Sequence, residues 1–249
     1  GKLASVELRI GLASRWLRER KEKAGRALLE ETVKAASAEL AAAPGWEAMQ
    51  TLRGWARLKL GEVEGARADV EGIKGRARAH RVAAAARLGE AERRRKALRP
   101  FADEAEGARR EAEASLTAAP NHPEGETLAA AVEVLLAQDD PAGDRAREAE
   151  KRLDRVIQRI PHHAEALFHR SRARYLLGEC KGARADLDAA LQWAMPGLRA
   201  ARHMRAIVNY TMGKYKEAAD ESRELLGDPS AADAKELQEL LDQAESKLR

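Results

Sequence analysis

The stretch PHHAEALFHRSRARYLLGECKGARADLDAALQWAMP, residues 161–196, decides how the rest of this 249-residue chain is interpreted. Its first half places small and apolar residues three and four positions apart, as on one face of a helix: Ala166, Leu167, Ser171 and Ala173. Its second half carries a similar stripe, formed by Ala183, Leu187, Ala190 and Leu191. Gly178 lies between the halves, where a helix ends on a residue that accepts a positive φ. The stretch therefore predicts two amphipathic helices, each too short to be stable alone, that bury their stripes against neighbouring helices.

The same pattern occurs twice more, at residues 49–73 and 203–229, and the residues GARAD recur unchanged at 65–69 and 182–186. A glycine ends the first helix in each copy: Gly61, Gly178 and Gly213. An arginine precedes the small residue of each first helix: Arg53, Arg170 and Arg205. Recurrence of this kind indicates stacked helical hairpins, each of which packs on its neighbours.

These hairpins resemble the tetratricopeptide repeat (TPR), a helix-turn-helix unit that recurs about every 34 residues. With Ala164 as the first position, the family's characteristic places are taken by Leu167, Ser171, Gly178, Ala183, Leu187, Ala190 and, one residue late, Pro196. Arg170 and Arg174 depart from the family, which has Leu and Tyr there. The resemblance implies an all-α, right-handed superhelical solenoid of TPR-like helix-turn-helix repeats.

The chain is predicted to have three parts: an N-terminal helical hairpin or degenerate repeat at 1–45, a TPR-like array at 46–229, and a capping helix at 230–249. In the N-terminal part, Gly25 is the expected turn. The predicted apolar faces of its two helices are Leu8, Leu12, Trp16 and Leu17, and then Leu28, Leu29, Val33 and Leu40. Ser230 is expected to cap the last helix.

Two hairpins of the array are irregular, because the spacing between repeat markers exceeds the family's period. We place the first surplus in a long helix, Ala77 to Arg99, that Pro100 stops, and we expect Asp103 to cap the partner helix. The second surplus is a turn from Asp139 to Arg145, which is rich in loop-forming residues. In the regular hairpin, Asp186 and Asp188 are expected to face away from the apolar stripe.

The composition favours an all-α protein, since only 4% of the residues are aromatic and β-branched residues are scarce. No apolar run reaches the roughly 18 residues of a membrane span, and charges interrupt the N-terminal residues where a signal peptide would be apolar. The single cysteine, Cys180, excludes an internal disulfide and is interpreted as structural. Because the chain begins at Gly1 rather than Met, we expect a fragment of a longer protein. A cytoplasmic location is favoured, and the Ala- and Arg-rich repeats resemble those of bacterial TPR proteins.

The resemblance also implies a function. TPR arrays bind extended peptides or helices of partner proteins in a concave groove lined by their first helices, so we expect a non-catalytic adaptor or scaffold. Carried over position by position, the groove residues are Thr51, Trp55 and Lys59, then Glu165, Phe168, His169, Arg172 and Tyr175, and then His203, Met204, Ile207 and Tyr210. Each of them is equally compatible with packing or a plain surface position. Phe168 and Arg172 stand where chaperone-binding members have the Lys and Asn of a carboxylate clamp, so chaperone binding is not predicted.

The charge distribution raises a second hypothesis. The formal net charge is +4, but residues 74–99 carry ten lysines and arginines against two glutamates, which leaves −4 for the remainder. The basic patch consists of Arg76, Arg81, Arg87, Arg93, Arg94, Arg95 and Arg99. Arginines bind phosphate and carboxylate, so a nucleic acid or an acidic protein is a possible partner. No aromatic residue interleaves with them to stack on bases, and a solvated helix face is the simpler interpretation.

A self-assembling structural module, in which exposed repeat ends stack on copies of the chain, is a third hypothesis. The adjacent pair His162 and His163 is poorly placed to bind one metal from a helix. Asp139, Asp140 and Asp144 lack the spacing and closing Glu of a calcium loop. We find no glycine-rich phosphate loop, nucleophile elbow or paired-carboxylate motif, so no metal, cofactor or enzymatic activity is expected.

Overall fold

The chain folds into helices throughout the part that the structure describes. The computed structural model describes residues 1–18, 22–140, 142–193, 199–227 and 233–248. Over these ranges the regular elements are α-helices and one short 3₁₀ helix, without a strand. The all-α prediction is confirmed. The chain divides into two compact units, Gly1–Leu136 (unit 1) and Ala137–Arg249 (unit 2).

Unit 1 is a stack of helical hairpins. Its helices are α1 Lys2–Arg18, α2 Glu22–Ala42, α3 Glu47–Leu60, α4 Val63–Val70, α5 Ala77–Lys96, α6 Ala102–Ala118 and α7 Pro123–Leu136. Each helix packs on the next, and the first helices also meet one another: α1 with α3, α3 with α5, and α5 with α7. Over the described residues, the second helices α2, α4 and α6 make no such contact with each other. The first helices therefore form the inner, more closely packed side of this stack.

Unit 2 repeats the arrangement. After a 3₁₀ helix, Ala137–Asp139, its helices are α8 Asp144–Arg159, α9 Ala164–Leu176, α10 Cys180–Trp193, α11 Arg199–Thr211, α12 Tyr215–Leu225 and α13 Ala234–Leu248. Consecutive helices from α8 onwards pack on each other, and α9 and α13 each also contact α11. Two predicted features, the closing Pro196 and the Ser230 cap, lie outside the described residues.

The turn predicted at the end of each regular first helix is present. Gly61, Gly178 and Gly213 have φ values of 85°, 81° and 75°. The Gly178 N–H donates to the Tyr175 carbonyl over 3.0 Å, and the next N–H donates to the Arg174 carbonyl over 2.8 Å. This pair of bonds recurs at the other two glycines and satisfies carbonyls that the helix end leaves open. The three turn predictions are confirmed.

The long first helix of the irregular hairpin is also present as α5, but its end differs from the prediction. The helix stops at Lys96, before Pro100, and Leu98 takes a positive φ of 53° in the connection. The predicted cap at Asp103 is wrong, since α6 begins at Ala102. Asp103 instead lies in the first turn, where the helix dipole favours a carboxylate.

The apolar face predicted for α1 is wrong for two of its residues. Leu8 is 74% exposed and Leu12 is 39% exposed. The face that packs in the core is formed by Val6, Ile10 and Ala13, at the spacing i, i+4 and i+7. Either stripe has helical spacing, and only the position of the neighbouring helices selects between them.

Gly25 is not the turn of the N-terminal hairpin. It lies inside α2, which begins at Glu22. A Cβ at this position would lie 2.8 Å from Cγ of Leu17 and 3.1 Å from the Ala13 carbonyl oxygen. The glycine therefore serves the close approach of α1 and α2 rather than chain reversal.

Three arginines link the two helices of their own hairpins. In each case the Nε atom donates over 2.9 Å to an acid sixteen residues further on: Arg53 to Asp69, Arg170 to Asp186, and Arg205 to Glu221. The side chains of these acids are only 2%, 5% and 7% exposed. Hydrogen bonds to buried carboxylates are stronger than neutral ones, so the pairs fix the register of the two helices.

The same arginines also bond to the second helix of the preceding hairpin, at a residue 16 or 17 positions earlier in the chain. In each case Nη1 is the donor: Arg53 donates to Ser37 Oγ over 3.2 Å, Arg170 to Asp154 over 2.7 Å, and Arg205 to Asp188 over 2.9 Å. Burial opposes the charge of Arg170, but its bonds to Asp186 and Asp154 outweigh that effect and raise its pKa above the ordinary value. Each arginine thus joins three helices at a position where the family has an apolar residue.

The prediction that Asp186 faces away from the packed side is wrong. The residue is 4% exposed and also accepts a hydrogen bond from Arg174 Nη1 over 3.0 Å. Gly182 makes room for this second arginine, because a Cβ there would lie 3.2 Å from Arg174 Cδ. Asp188 is exposed as predicted. The predicted division at residues 45 and 229 stays a prediction.

Candidate functional site

The first helices of unit 1 converge on one open cavity of about 270 Å³, which we call the unit 1 pocket. Its lining consists of Glu7, Ile10, Gly11, Ser14, Leu52, Trp55, Arg78, Arg81, His122 and Glu124. These residues belong to α1, α3, α5 and α7, except for His122, which directly precedes α7, so four successive first helices contribute. The inner side of a hairpin stack places these helices side by side.

One part of the unit 1 pocket is apolar. Ile10 and Leu52 are buried in the core beneath it, and the half-buried Trp55 packs against the same core. The Nζ atom of Lys59 lies 5.2 Å from the centroid of the Trp55 ring, within the range of a cation–π contact. Trp55 was predicted as a groove residue, and it lies in this pocket.

Two side-chain pairs lie at the rim of the unit 1 pocket, one between opposite charges and one between a histidine and a glutamate. Arg78 Nη2 lies 2.7 Å from Glu7 Oε1, which joins α5 to α1. His122 Nδ1 lies 2.8 Å from Glu124 Oε2 at the start of α7. Burial and the charges of Arg81 and Arg78 lower the pKa of His122, although Glu124 opposes them. The imidazole is therefore neutral at neutral pH.

Arg81 also lines the pocket and differs from Arg78, the other arginine of the lining. It is 9% exposed, and its Nη1 atom is buried without a hydrogen-bond partner among the described residues. Burial lowers the pKa of Arg81, while the nearby charge of Glu124 acts in the opposite direction. A guanidinium is not deprotonated in proteins, so the pocket contains a buried cation.

The remaining groove candidates of unit 1 have different environments. Thr51 is buried, and its hydroxyl donates to the Glu47 carbonyl over 2.8 Å, so its side chain is directed into the helix stack. Lys59 is exposed beside Trp55.

In unit 2, three candidate groove residues pack on one apolar cluster. Phe168, Tyr175 and Met204 are half-buried against a core that includes Leu187 and Val208. Their contacts bring the faces of α9 and α11 together. Each of these side chains still has part of its surface in solvent and is available for contact with a ligand.

Polar groups surround this cluster. The Arg172 guanidinium lies 5.8 Å from the centroid of Phe168, and the ring of His169 lies 5.1 Å from it. Burial lowers the pKa of His169 to about 3, with further contributions from the charges of Arg172 and His163. His169 is thus neutral, and Glu165 is exposed at the start of α9.

Two of the candidate groove residues on α11 contact residues of later segments. His203 is buried, with Nδ1 3.3 Å from Asp233 Oδ2 at the edge of α13. Tyr210 makes an edge contact with Tyr215, at a centroid distance of 5.4 Å. Ile207 is half-buried. The structure therefore places His203 inside the helix stack and leaves Met204 and Ile207 nearer the surface.

The basic patch is not a uniform cationic face. Four of its arginines lie near acids, at the following distances: Arg76 to Glu47 2.7 Å, Arg87 to Glu104 3.2 Å, Arg93 to Glu90 2.6 Å and Arg94 to Glu90 2.8 Å. Arg95 lies 5.9 Å from the Phe101 ring centroid, and Arg99 is exposed. Arg81 is buried, as described above, which corrects its assignment to a surface patch. Opposite charges therefore offset much of the patch.

Sequence reasoning missed most of the unit 1 pocket. It assigned no groove role to α1 or α7, because neither helix follows the repeat register. The overlooked residues are Glu7, Ile10, Gly11, Ser14, Arg78, His122 and Glu124. One signal was present: Gly11 stands in the middle of a helix, where glycine is unfavourable without a reason.

Within the described ranges, no group of three or more His, Cys, Asp or Glu residues is arranged to hold a metal ion. None of the helices in these ranges is long and apolar enough to cross a membrane. Cys180 is a free, half-buried thiol.

Comparison with known proteins shows similarity at the level of structure. No protein-family model matches the sequence, and no curated protein matches it. A TPR protein from Parabacteroides merdae ATCC 43184 is similar with a TM-score of 0.61 and 15% identity, over 96% of this chain and 84% of that chain. A chain of the APC/C hetero-tetramer Cut9-Hcn1 gives 0.68 and 12% identity, over 97% of this chain and 46% of that chain. YrrB, a TPR protein with an unusual peptide-binding site, is similar with a TM-score of 0.50 and 15% identity, over 86% of this chain and 99% of that chain. The chain therefore has a TPR-like fold, as predicted.

Proposed function

We propose that this chain is a non-catalytic interaction module that binds a peptide segment or helix of a partner protein on the inner surface formed by its first helices. The observation that carries the proposal is the unit 1 pocket, to which α1, α3, α5 and α7 all contribute side chains. A surface assembled from successive first helices is elongated and suits an extended ligand.

The composition of the unit 1 pocket supports a peptide as the ligand. The ring of Trp55 and the side chains of Ile10 and Leu52 offer apolar contact, and polar groups stand at the rim. Pockets that recognise ligands combine an apolar lining with a few placed polar groups. The charged rim groups Glu7 and Glu124 already have partners, which favours binding over proton transfer in this pocket.

The comparisons add a fold-level analogy. The solved structure of YrrB concerns a TPR protein with a peptide-binding site, and that of Cut9 concerns an assembly with Hcn1. Those properties belong to these proteins, and they come to this chain only as an analogy of fold. We do not propose the polyanion function, because acids offset much of the basic patch, and self-assembly stays a prediction.

A random-peptide display library tests the proposal. The full chain is immobilised and panned, and the selected peptides are then titrated against variants. We expect Trp55→Ala in unit 1, or Phe168→Ala in unit 2, to weaken the selected peptides. The matched controls lie on second helices and are exposed: Arg110→Ala on α6 and Glu148→Ala on α8. Selected peptides that bind every variant as tightly as the wild type would contradict the proposal.

A further inference from the structure

We infer that the corner between α5 and α6, residues 93–101, docks on an anionic lipid surface. Leu98 enters the interface of the bilayer, and the neighbouring cations lie among the lipid headgroups. None of these residues lines the unit 1 pocket, so the inference concerns a second surface of unit 1 and goes beyond the proposed function.

Leu98 occupies a place in its turn that glycine occupies elsewhere in this fold. Its N–H donates to the Arg95 carbonyl over 2.9 Å, and the next N–H donates to the Arg94 carbonyl over 2.8 Å. The same pair of bonds ends α9 at Gly178, where φ is 81°, and Leu98 has a φ of 53°. Residues with a Cβ adopt this left-handed region at a cost, whereas glycine adopts it freely. The backbone therefore disfavours a leucine here.

Packing within the fold does not explain Leu98 either. The residue is 96% exposed, more than any other large apolar residue that the structure describes. Phe101, three residues later, packs against the core that contains Leu88 and Leu135, so the corner is anchored while Leu98 projects from it. A leucine that strains the backbone and buries nothing in the fold is explained by a partner outside the chain that covers it.

The charges around Leu98 indicate the chemistry of this partner. Residues 93–101 contain five cations and no acid: Arg93, Arg94, Arg95, Lys96 and Arg99. Glu90 bonds Arg93 and Arg94 from the preceding turn of α5. Counting Glu90 and Glu92 against the five cations still leaves +3 for residues 90–101. The corner thus attracts an anionic surface.

The acids at the start of α6 do not cancel this charge. Glu104 lies 3.2 Å from Arg87, and Glu106 lies 2.7 Å from Arg109, so both are engaged with cations outside the corner. Asp103 is exposed in the first turn of α6 and lowers the excess by one. The corner keeps more cations than acids.

A projecting aliphatic side chain among cations suits the interface of an anionic bilayer. Lysine and arginine have long apolar stems and charged ends, so they contact headgroups while a neighbouring leucine reaches the acyl chains. Anionic lipid attracts such cations near its surface. A protein would need a socket shaped to Leu98, whereas a bilayer accepts a single projecting side chain. A nucleic acid offers phosphates but no apolar layer.

Cosedimentation of the full chain with lipid vesicles tests the inference. One set of vesicles contains equal parts of phosphatidylcholine and phosphatidylserine, and the other contains phosphatidylcholine alone. We expect the wild type to bind the mixed vesicles about tenfold or more tightly than the neutral ones, and added salt to reduce this preference.

Leu98→Gly separates lipid binding from folding. It supplies the residue found at the equivalent turns, so we expect the melting temperature to stay level or rise. Binding to the mixed vesicles is expected to fall about tenfold, because the apolar contribution is lost. Leu8→Ala is the matched control, since Leu8 is 74% exposed on α1 and lies outside the corner. It is expected to bind vesicles as the wild type does.

A second pair of variants tests the charges. Lys96→Gln with Arg99→Gln is expected to reduce binding to the mixed vesicles about tenfold. Lys34→Gln with Arg110→Gln removes two exposed cations from α2 and α6 and is expected to leave binding unchanged.

Three results would overturn the inference: no binding to the mixed vesicles, binding that Leu98→Gly leaves unchanged, or a melting temperature of Leu98→Gly well below that of the wild type. The last result would show that the leucine serves the fold. A fluorescent oligonucleotide is titrated in parallel. Salt-sensitive binding of the oligonucleotide by a chain that does not sediment with vesicles also overturns the inference and assigns the corner to polyanions.

Discussion

Asp186 provides the most direct test of how the repeats are held together. Asp186→Asn removes the charge from a side chain that is 5% exposed and accepts bonds from Arg170 and Arg174. Removing one partner from a buried ion pair costs about 3–5 kcal/mol, because the other charge stays buried. Here Arg170 keeps Asp154, and Arg174 keeps Glu150 at 2.7 Å. We therefore expect the low end, about 3 kcal/mol of the free energy of unfolding.

Asp188→Asn is the matched control on the same helix. Asp188 also lies near two arginines, Arg184 at 3.0 Å and Arg205 at 2.9 Å, but its side chain is 46% exposed. Exposed ion pairs contribute roughly 0–1 kcal/mol, so this change is expected to cost less than about 1 kcal/mol.

The assay is denaturant unfolding followed by circular dichroism, together with hydrogen exchange of the amides of α9 and α10. Exchange localises the effect, because a repeat array does not have to unfold as one unit. The double variant Arg170→Met with Asp186→Leu is expected to recover part of the lost stability, since apolar groups that replace both partners avoid an unpaired charge. Equal costs for Asp186→Asn and Asp188→Asn would refute the claim that the buried pair fixes the hairpin.

Three further predictions follow from other features. Gly25→Ala is expected to destabilise the fold by about 1–3 kcal/mol, because its Cβ would lie 2.8 Å from Leu17. Gly89→Ala, where a Cβ would meet nothing within 4 Å, is expected to stabilise the fold by about 0.5–1 kcal/mol. Thermal melts compare the two variants. The pKa of His169 is about 3 when folded, below its usual range, so the unfolded state takes up the proton first and stability falls as the pH drops below about 6.5. Between about pH 7 and pH 5, the wild type is expected to lose roughly 1–2 kcal/mol more than His169→Leu, and parallel pH curves would contradict this. Titration of the chain with a fluorescent oligonucleotide at low salt is expected to show no specific binding through residues 74–99, and a salt-sensitive signal would restore the polyanion hypothesis.

The repeat register was predictable because it depends on local chemistry. Gly61, Gly178 and Gly213 each end a helix in the left-handed region that other residues avoid. Since these positions follow short apolar stripes of helical spacing, the pattern indicated both helices and the turn between them. The long helix α5 was predictable for the same reason, although its exact end was not.

The candidate site was only partly predictable. Trp55 was found through the repeat register, and it does line the unit 1 pocket. Glu7, Gly11 and His122 were not found, because they come from segments that do not follow that register. Their place in the pocket depends on four helices meeting at one place, which no local pattern records.

The sequence by itself determined the all-α class, the regular hairpins and their glycine turns, because helical spacing and a positive φ are properties of neighbouring residues. Only the tertiary structure decided where the charges lie. It buries Asp186 against arginines of another helix and gives four of the seven basic-patch arginines acidic partners. It also buries Arg81 with no hydrogen-bond partner for Nη1 among the described residues. The physical reason is that the energy of a charge depends on its burial and on partners that are far away in the chain, and a sequence lists neither.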